Sequence, residues 1–478
     1  MAAMDVADDS GSCHAPEPTP AGGMPPIGRR QENLRQLTEL SEAGEPLSKR
    51  ATKRLARLQF LTSDEGKESK KVQRQHKREK RKHQASLPQL SASTAPTPPR
   101  PPLFLTPADA GARAYAFWRR IGAPKRVLAP MVNQSELAFR MLARRHGAPL
   151  VYTQMLHSAS FAKELSYRQD NFEILEADRP LVAQFCGDDG PTIERAARHL
   201  GNLVDAIDLN CGCPQAIAKR GHYGAYLLDE PDLIVTIVRH LSSTVDVPVC
   251  VKIRVLPNAE DTLKLALRLQ EAGCVILTVH GRTRDKKSRG ECDWPAIKAV
   301  KDALTIPVIA NGGVESPEDW LACLEATGCD AVMSSEGALE NPSLFEDTPT
   351  TRAGQIVLAE EYLALIREHR PSSAATVKSH VFKLLYMALA EYTDLRSALG
   401  SVTSIEDISA VVEQLLARER AAAAASADAY ASRCDSTDAP FVSWYRRHRG
   451  TGGNEPTGGE EECAEGCAEG RTPQLETD

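Results

Sequence analysis

Seven polar residues each close an otherwise apolar run in the middle of this chain: Gln154, Gln184, Asn210, Lys252, His280, Asn311 and Ser335, with Cys213 just past the run that ends at Asn210. Any one of them has a bland explanation, because a strand turns polar where it meets water. Their convergence carries the weight. Side-chain amides offer both donors and acceptors, so the Asn and Gln members suit the pyrimidine edge of an isoalloxazine ring. Lys252 suits the negative N1 side of a reduced flavin, and His280 can do similar work. The glycines of NGG at 311–313 and SEG at 335–337 let backbone N–H groups approach a phosphate, although plain turns use the same residues.

The elements that must position this ring are eight short runs between Arg126 and Ser335: RVLAPM from 126, LVYTQM from 150, LVAQF from 181, AIDLN from 206, VPVCVKIR from 247, CVILTVH from 274, IPVIAN from 306 and CDAVMSS from 329. Most read as buried strands. Between them lie amphipathic segments, among them 134–146, 191–200, 231–242, 259–272 and 317–326, several opening on Pro, Ser or an acid as helices do. Alternating strand and helix at this spacing predicts an α/β fold, a (β/α)8 TIM barrel, whose site is built at the C-terminal ends of its strands. A doubly wound sheet would more usually show GxGxxG after its first strand. Neither that motif nor a GxxxxGK phosphate loop is present.

The barrel does not fill the chain of 478 residues, of which 42% are hydrophobic and 26% charged. Residues 1–121 read as a disordered N-terminal extension: a Gly-, Pro- and acid-rich start, a basic arm over 49–83 and a proline-rich linker at 86–102. The barrel is expected over 122–346. Three helical segments between 353 and 425 predict a small helical domain over 347–425, and 426–478 read as a disordered acidic tail apart from FVSWYRRHR at 441–449. No run approaches the roughly 18 apolar residues a membrane span needs, and Asp5, Asp8 and Asp9 are unlike a secretory leader. A soluble intracellular protein is expected. Of the 12 cysteines, Cys186, Cys250, Cys274, Cys323 and Cys329 lie in apolar runs as small core residues, and no CxxC pair occurs, so no metal site is expected.

APM at 129–131, QMLHS at 154–158, QFCG at 184–187, DLNCGCPQAIAKRGHYGAYLL at 208–228, VKIR at 251–254, VHGRTR at 279–284, IANGGV at 309–314 and SEGALENP at 335–342 together resemble the tRNA-dihydrouridine synthases, over roughly residues 124–345. The CPQAIAKRGHYGAYLL stretch is similar to the subfamily acting on tRNA uridines 16 and 17. The resemblance implies FMN held by Pro130, Met131, Gln184, Lys252, His280, Asn311, Gly313, Glu336 and Gly337, with NADPH or NADH as reductant. It makes Cys213 the catalytic residue of an NxGCP block, a protonated thiol that gives C5 of uracil a proton after hydride reaches C6. A flipped base in the tRNA D-loop requires phosphate-binding surface around the mouth. Asn210, Lys219, Arg220, Arg282 and Arg284, with Lys286 and Lys287, are candidates beside the site, and Lys378, His380 and Lys383 share a helix of the C-terminal domain.

Three positions depart from the subfamily's pattern: Asn133 for Asp, NGG for NGN at 311–313 and SSEG for SAEG at 334–337. They touch the flavin loops and leave Cys213, Lys252 and His280 unchanged. A flavin reductase of free pyrimidines, as dihydroorotate dehydrogenases are, has no use for the basic loops, the helical extension or the arm. A tRNA-binding protein that has lost catalysis is argued against by the intact CGCP, VKIR and VHGRT blocks. The arm suits RNA binding or nuclear import, and WYRRHR at 444–449 suits stacking on RNA. A monomer in the cytoplasm is expected, with a nuclear fraction left open.

Overall fold

The computed structural model describes residues 34–41, a few single positions between 52 and 74, and residues 106–369 and 373–425. The chain divides into two units, 1–76 and 77–478. Residues 34–41 of the first are helical. The proline-rich linker, the tail beyond 425 with its WYRRHR cluster, and nearly all of the basic arm lie outside the described residues.

In the second unit the strands are β1 (Arg126–Leu128), β2 (Leu150–Tyr152), β3 (Leu156–His157), β4 (Leu181–Cys186), β5 (Ala206–Cys211), β6 (Val249–Arg254), β7 (Ile276–His280), β8 (Val308–Asn311) and β9 (Ala331–Ser334). All neighbours pair in parallel, in the order β2-β1-β9-β8-β7-β6-β5-β4-β3, and β2 also pairs with β4, which closes the sheet. β2 lies opposite Leu181 and Val182 of β4, whereas β3 lies opposite Phe185 and Cys186. The two pieces are therefore one interrupted stave, and the closed barrel has the eight staves that the apolar runs predict.

Parallel strands covered by helices are buried on both faces, which is why they read as nearly continuous apolar runs. Every residue of β4 and β5 is buried. The surrounding helices start where side chains satisfy their first N–H groups: Asp189 caps Gly190–Arg198, Asn258 caps Ala259–Glu271, and Ser316 with Asp319 forms a reciprocal capping box on Pro317–Thr327.

The folded part begins earlier than residue 122. Pro107–Arg120 is a helix capped by Thr106, and it buries Ala110, Ala114, Phe117 and Trp118. Its Tyr115 hydroxyl donates to Asp330 at 2.8 Å, and a Cβ on Gly111 would lie 2.7 Å from the Thr305 carbonyl. The helix thus packs beside the segments that lead into β8 and β9. It corrects the boundary expected from the proline-rich composition just before it.

C-terminal to the barrel come helices Arg352–Glu368, Ala374–Leu384, Tyr386–Glu391, Thr393–Ser401 and Ile405–Ala425. The three helical segments expected here are five helices, and the middle one breaks at Leu385. There the Gln355 side chain accepts from the Met387 N–H at 3.1 Å and its amide reaches the Lys383 carbonyl at 3.5 Å, so a side chain takes over from the helix's own ladder. The helical segment docks on the barrel through a buried cluster. His380 stacks on Phe139 with ring centroids 4.3 Å apart, its Nε2 lies 3.0 Å from Glu136, and Tyr362 donates to the same carboxylate at 2.8 Å. Among the described residues no helix is long and apolar enough to cross a membrane, and no group of three or more His, Cys, Asp or Glu is placed to hold a metal ion.

Candidate active site

Strand register gathers the polar residues at one end of the barrel. Gln184 lies beside Asp208, Asn210 beside Lys252, Arg254 beside His280, and His280 beside Asn311. Cys213 follows two residues after β5. Its backbone N–H and that of Gly212 both donate to Asn210 Oδ1, at 3.0 and 3.1 Å. Asn210 Nδ2 donates to Gln184 Oε1 at 2.6 Å, and Gln184 Nε2 donates to Asp208 Oδ2 at 2.8 Å. The Cys213 side chain packs against a small buried cluster of Cys186, Ala218 and Tyr223, as do Met155 and Tyr226. Burial raises its pKa above the ordinary thiol value, against an N–H bond from Gln215 and the nearby charges of Arg254 and Lys252. A thiol in that setting is protonated at neutral pH.

Opposite this loop the site is crowded with cations. Burial brings Lys252 down to about 7, helped by repulsion from Arg254, with Asp208 and Cys213 opposing. Burial also brings Arg254 down to about 10. Arg254 Nε donates to the Gly212 carbonyl at 2.7 Å and Nη1 to the Lys287 carbonyl at 2.7 Å, which ties the Cys213 loop to the loop after β7. His280 is half-buried beside Arg254, Lys252 and Arg282, and burial, with repulsion from these charges, brings its pKa well below the ordinary histidine value. Its Nδ1 accepts from the Arg282 N–H at 3.1 Å, so the neutral ring carries its proton on Nε2. His280 is a donor here; the cationic role suggested by sequence is left to Lys252 and the arginines.

Two acids sit among these cations. Glu336 is pushed up to about 7 by burial, while Arg282, Arg254 and Lys383 pull it down. Asp208 is likewise pushed up to about 7 by burial, opposed by the bond from Gln184 and the charge of Lys252. Lys252, Arg254, Arg282 and Lys383 outnumber them, and a bound anion would offset the burial and mutual repulsion that bring Lys252 and Arg254 down. The residues present therefore fit a cofactor carrying a phosphate.

The loops beside the cations have little room for side chains. Gly312 and Gly313 have φ of 101° and 78°, a region that other residues enter at a cost. A Cβ on Gly337 would lie 2.8 Å from Glu315 Cα and 2.9 Å from the Val314 carbonyl, so the loops after β8 and β9 touch through backbone. Asn311 joins them, donating from Nδ2 to the Met333 carbonyl at 3.0 Å. On the opposite side, Ser135 accepts from the Met131 N–H at 2.9 Å and donates to the Ala129 carbonyl, which shapes the turn that carries half-buried Pro130 and Met131.

The remaining sequence candidates separate into rim and interior. Lys219 and Arg220 are exposed on the helix after Cys213. Arg284 is at the rim, 2.6 Å from Asp229 and with its guanidinium 5.0 Å from the Tyr226 ring centre. Arg282 is buried, donates to the Gly290 carbonyl at 2.8 Å and belongs to the cation cluster. Lys378 donates to the Gly400 and Val402 carbonyls at the end of Thr393–Ser401, whereas Lys383 reaches the neighbourhood of Glu336. His380 is wholly buried and cannot serve the basic face expected of its helix. Gln154 turns to Asn171. Sequence reasoning missed Asp208 and assigned Arg254 no role. Both leave a signal: each sits two positions from a ring member on the same strand, hence on the same face.

Residues 127–427 match the family model described as Dihydrouridine synthase (Dus). A Mus musculus protein named tRNA-dihydrouridine(16/17) synthase NAD(P)(+)-like is 45% identical over 312 residues, covering 64% of this chain and 65% of that protein. The Saccharomyces cerevisiae tRNA-dihydrouridine(16/17) synthase is 43% identical over 299 residues, covering 60% of this chain and 71% of the relative. A Homo sapiens tRNA-dihydrouridine(20a/20b) synthase-like protein is 37% identical over 230 residues, 47% of this chain and 72% of its own. The chain therefore spans a little under two thirds of the mouse relative's length.

Proposed function

The chain belongs to the dihydrouridine synthase family, and on that premise we propose that it reduces the C5=C6 bond of uridines 16 and 17 in the D-loop of tRNA. The observation that carries the reading is Cys213: a thiol kept protonated by burial, on a loop pinned by Asn210, beside a surplus of cations, of which Arg254 and Arg282 are buried. Flavin mononucleotide, reduced by NADPH or NADH, supplies hydride to C6 when bound. Lys252, His280, Asn311, Gly313, Glu336 and Gly337 would hold it on the cationic side, with Pro130, Met131 and Gln184 around its ring.

The negative charge that develops across C5 and O4 needs a proton at C5. Cys213 provides it: its S–H bond breaks as the C5–H bond forms, and the saturated ring is 5,6-dihydrouracil. The thiolate left behind is stabilised by Arg254 and Lys252, the charges that act on Cys213, until a solvent proton restores it. Asn210, Lys219, Arg220, Arg282, Arg284, Lys378 and Lys383 are the proposed tRNA contacts, and the exposed Lys219 and Arg220 suit backbone phosphates best. A monomer acting in the cytoplasm, and in the nucleus if the basic arm serves import, completes the reading.

The test is direct. The protein, loaded with FMN, is incubated with unmodified tRNA and NADPH, and dihydrouridine is mapped by mass spectrometry. Dihydrouridine at positions 16 and 17 is expected. Product only at another position refutes the site assignment, and no product from a flavin-loaded protein refutes the activity.

A further inference from the structure

The buried carboxyl of Asp208 lies at the foot of a hydrogen-bond chain that ends on the backbone of the Cys213 loop. Asp208 Oδ2 accepts from Gln184 Nε2 at 2.8 Å, Gln184 Oε1 accepts from Asn210 Nδ2 at 2.6 Å, and Asn210 Oδ1 accepts from the N–H groups of Gly212 and Cys213. All three side chains are buried, so water cannot substitute for a missing partner.

A side-chain amide has a donor end and an acceptor end of nearly the same shape, and nothing in its own geometry says which way it faces. Here the direction is imposed from below. Asp208 Oδ2 accepts from Gln184 Nε2, as a carboxylate oxygen or as the carbonyl oxygen of the protonated acid, so Gln184 turns its NH2 toward Asp208 and its oxygen toward Asn210. Asn210 must then turn its own NH2 back to Gln184, which leaves its oxygen facing the two loop N–H groups. Reversing either amide would set donor against donor among buried side chains.

We propose that Asp208 is a positioning residue for the proton-donating thiol: it fixes the direction of the Gln184 and Asn210 amides and, through them, the conformation of the loop that carries Cys213. This rests on Cys213 being the donor, but the chain itself can be tested without turnover.

The experiment uses the full-length, flavin-loaded protein and the variants D208N and D208L. The rate at which iodoacetamide alkylates Cys213 is followed against pH by peptide mass spectrometry, and turnover on unmodified tRNA is measured in parallel. Asn can still present an oxygen to Gln184, so D208N should keep the alkylation midpoint and stay within about threefold of the parent kcat. Leu cannot, so D208L should move the midpoint by at least half a pH unit and lower kcat about tenfold or more with little change in KM, the range a misplaced catalytic group produces. If D208L folds poorly, Q184M cuts the chain one link higher and must shift the midpoint in the same way. An unchanged midpoint in a folded D208L or Q184M overturns the proposal. So does a D208N that falls as far as D208L, because charge rather than direction would then be at work. The midpoint is read without substrate, so a shift with no dihydrouridine made separates failure of the activity from failure of the positioning role.

Discussion

Replacing Arg140 by Met should destabilise the barrel and loosen the flavin together. Arg140 and Asp178 are 3% and 0% exposed, with Nη2 and Nε of the arginine 2.7 and 3.0 Å from the carboxylate. The same guanidinium donates to the Ser135 carbonyl at 2.6 Å and the Glu173 carbonyl at 2.7 Å. Methionine fills most of the volume but leaves a carboxylate buried with Arg144 as its nearest cation, at 3.6 Å. Removing one partner of a buried pair costs about 3–5 kcal/mol, and Arg144 should hold the loss near the lower end. For a unit of this size, about 3 kcal/mol lowers Tm by roughly 5–10 °C. Urea unfolding followed by fluorescence gives the free energy. The double variant R140M/D178L should recover part of the loss, because the buried carboxylate leaves with its partner and only Arg144, 12% exposed and held by the backbone carbonyls of positions 178 and 180, loses a counter-charge. Ser135 anchors the turn with Met131, so R140M should also retain less flavin after dialysis. A loss below about 1 kcal/mol, or a double variant less stable than R140M, would refute the reasoning.

Three further outcomes follow from the site. Cys213 donates only while protonated, and burial raises its pKa, so its alkylation should rise only above the ordinary thiol range near 9 and single-turnover rates with pre-reduced protein should be lost there; alkylation of Cys213 that rises between pH 7 and 8, where Lys252 itself can lower the rate, contradicts the buried-thiol account. G337A forces a Cβ to within 2.8 Å of Glu315 Cα and should cost about 1–3 kcal/mol, with flavin absorbance lost from the purified protein; full flavin content at unchanged Tm counts against a backbone contact there. Replacing exposed Lys219 and Arg220 by Ala should reduce the slope of log affinity for tRNA against log salt by about 0.7–0.9 per lost phosphate contact, and an unchanged slope removes them from the interface.

The barrel is legible in the sequence because parallel strands hidden on both faces leave apolar runs, and all eight are strands in the structure. The polar ring is legible because each run must end at the mouth. What sequence missed depends on contacts far along the chain. Pro107–Arg120 is placed by Thr305 and Asp330, about 200 positions away, while the prolines before it suggest a linker. The break at Leu385 comes from Gln355, on another helix. His380 and Arg282 look like surface charge by type, yet Glu136 and Phe139 bury the first and the Gly290 loop encloses the second. Asp208 was visible as an acid inside an apolar strand, but its purpose needed the orientations of Gln184 and Asn210.

The central claim is that Cys213 supplies the proton that completes reduction of a tRNA uridine, and its most direct test compares the intact protein with C213A. Both are loaded with FMN and given NADPH and unmodified tRNA; flavin bleaching and dihydrouridine are measured in the same samples. The account predicts that both proteins bleach at similar rates and that only the intact one accumulates dihydrouridine at the rate of turnover. Dihydrouridine formed by C213A as fast as by the intact protein would contradict it.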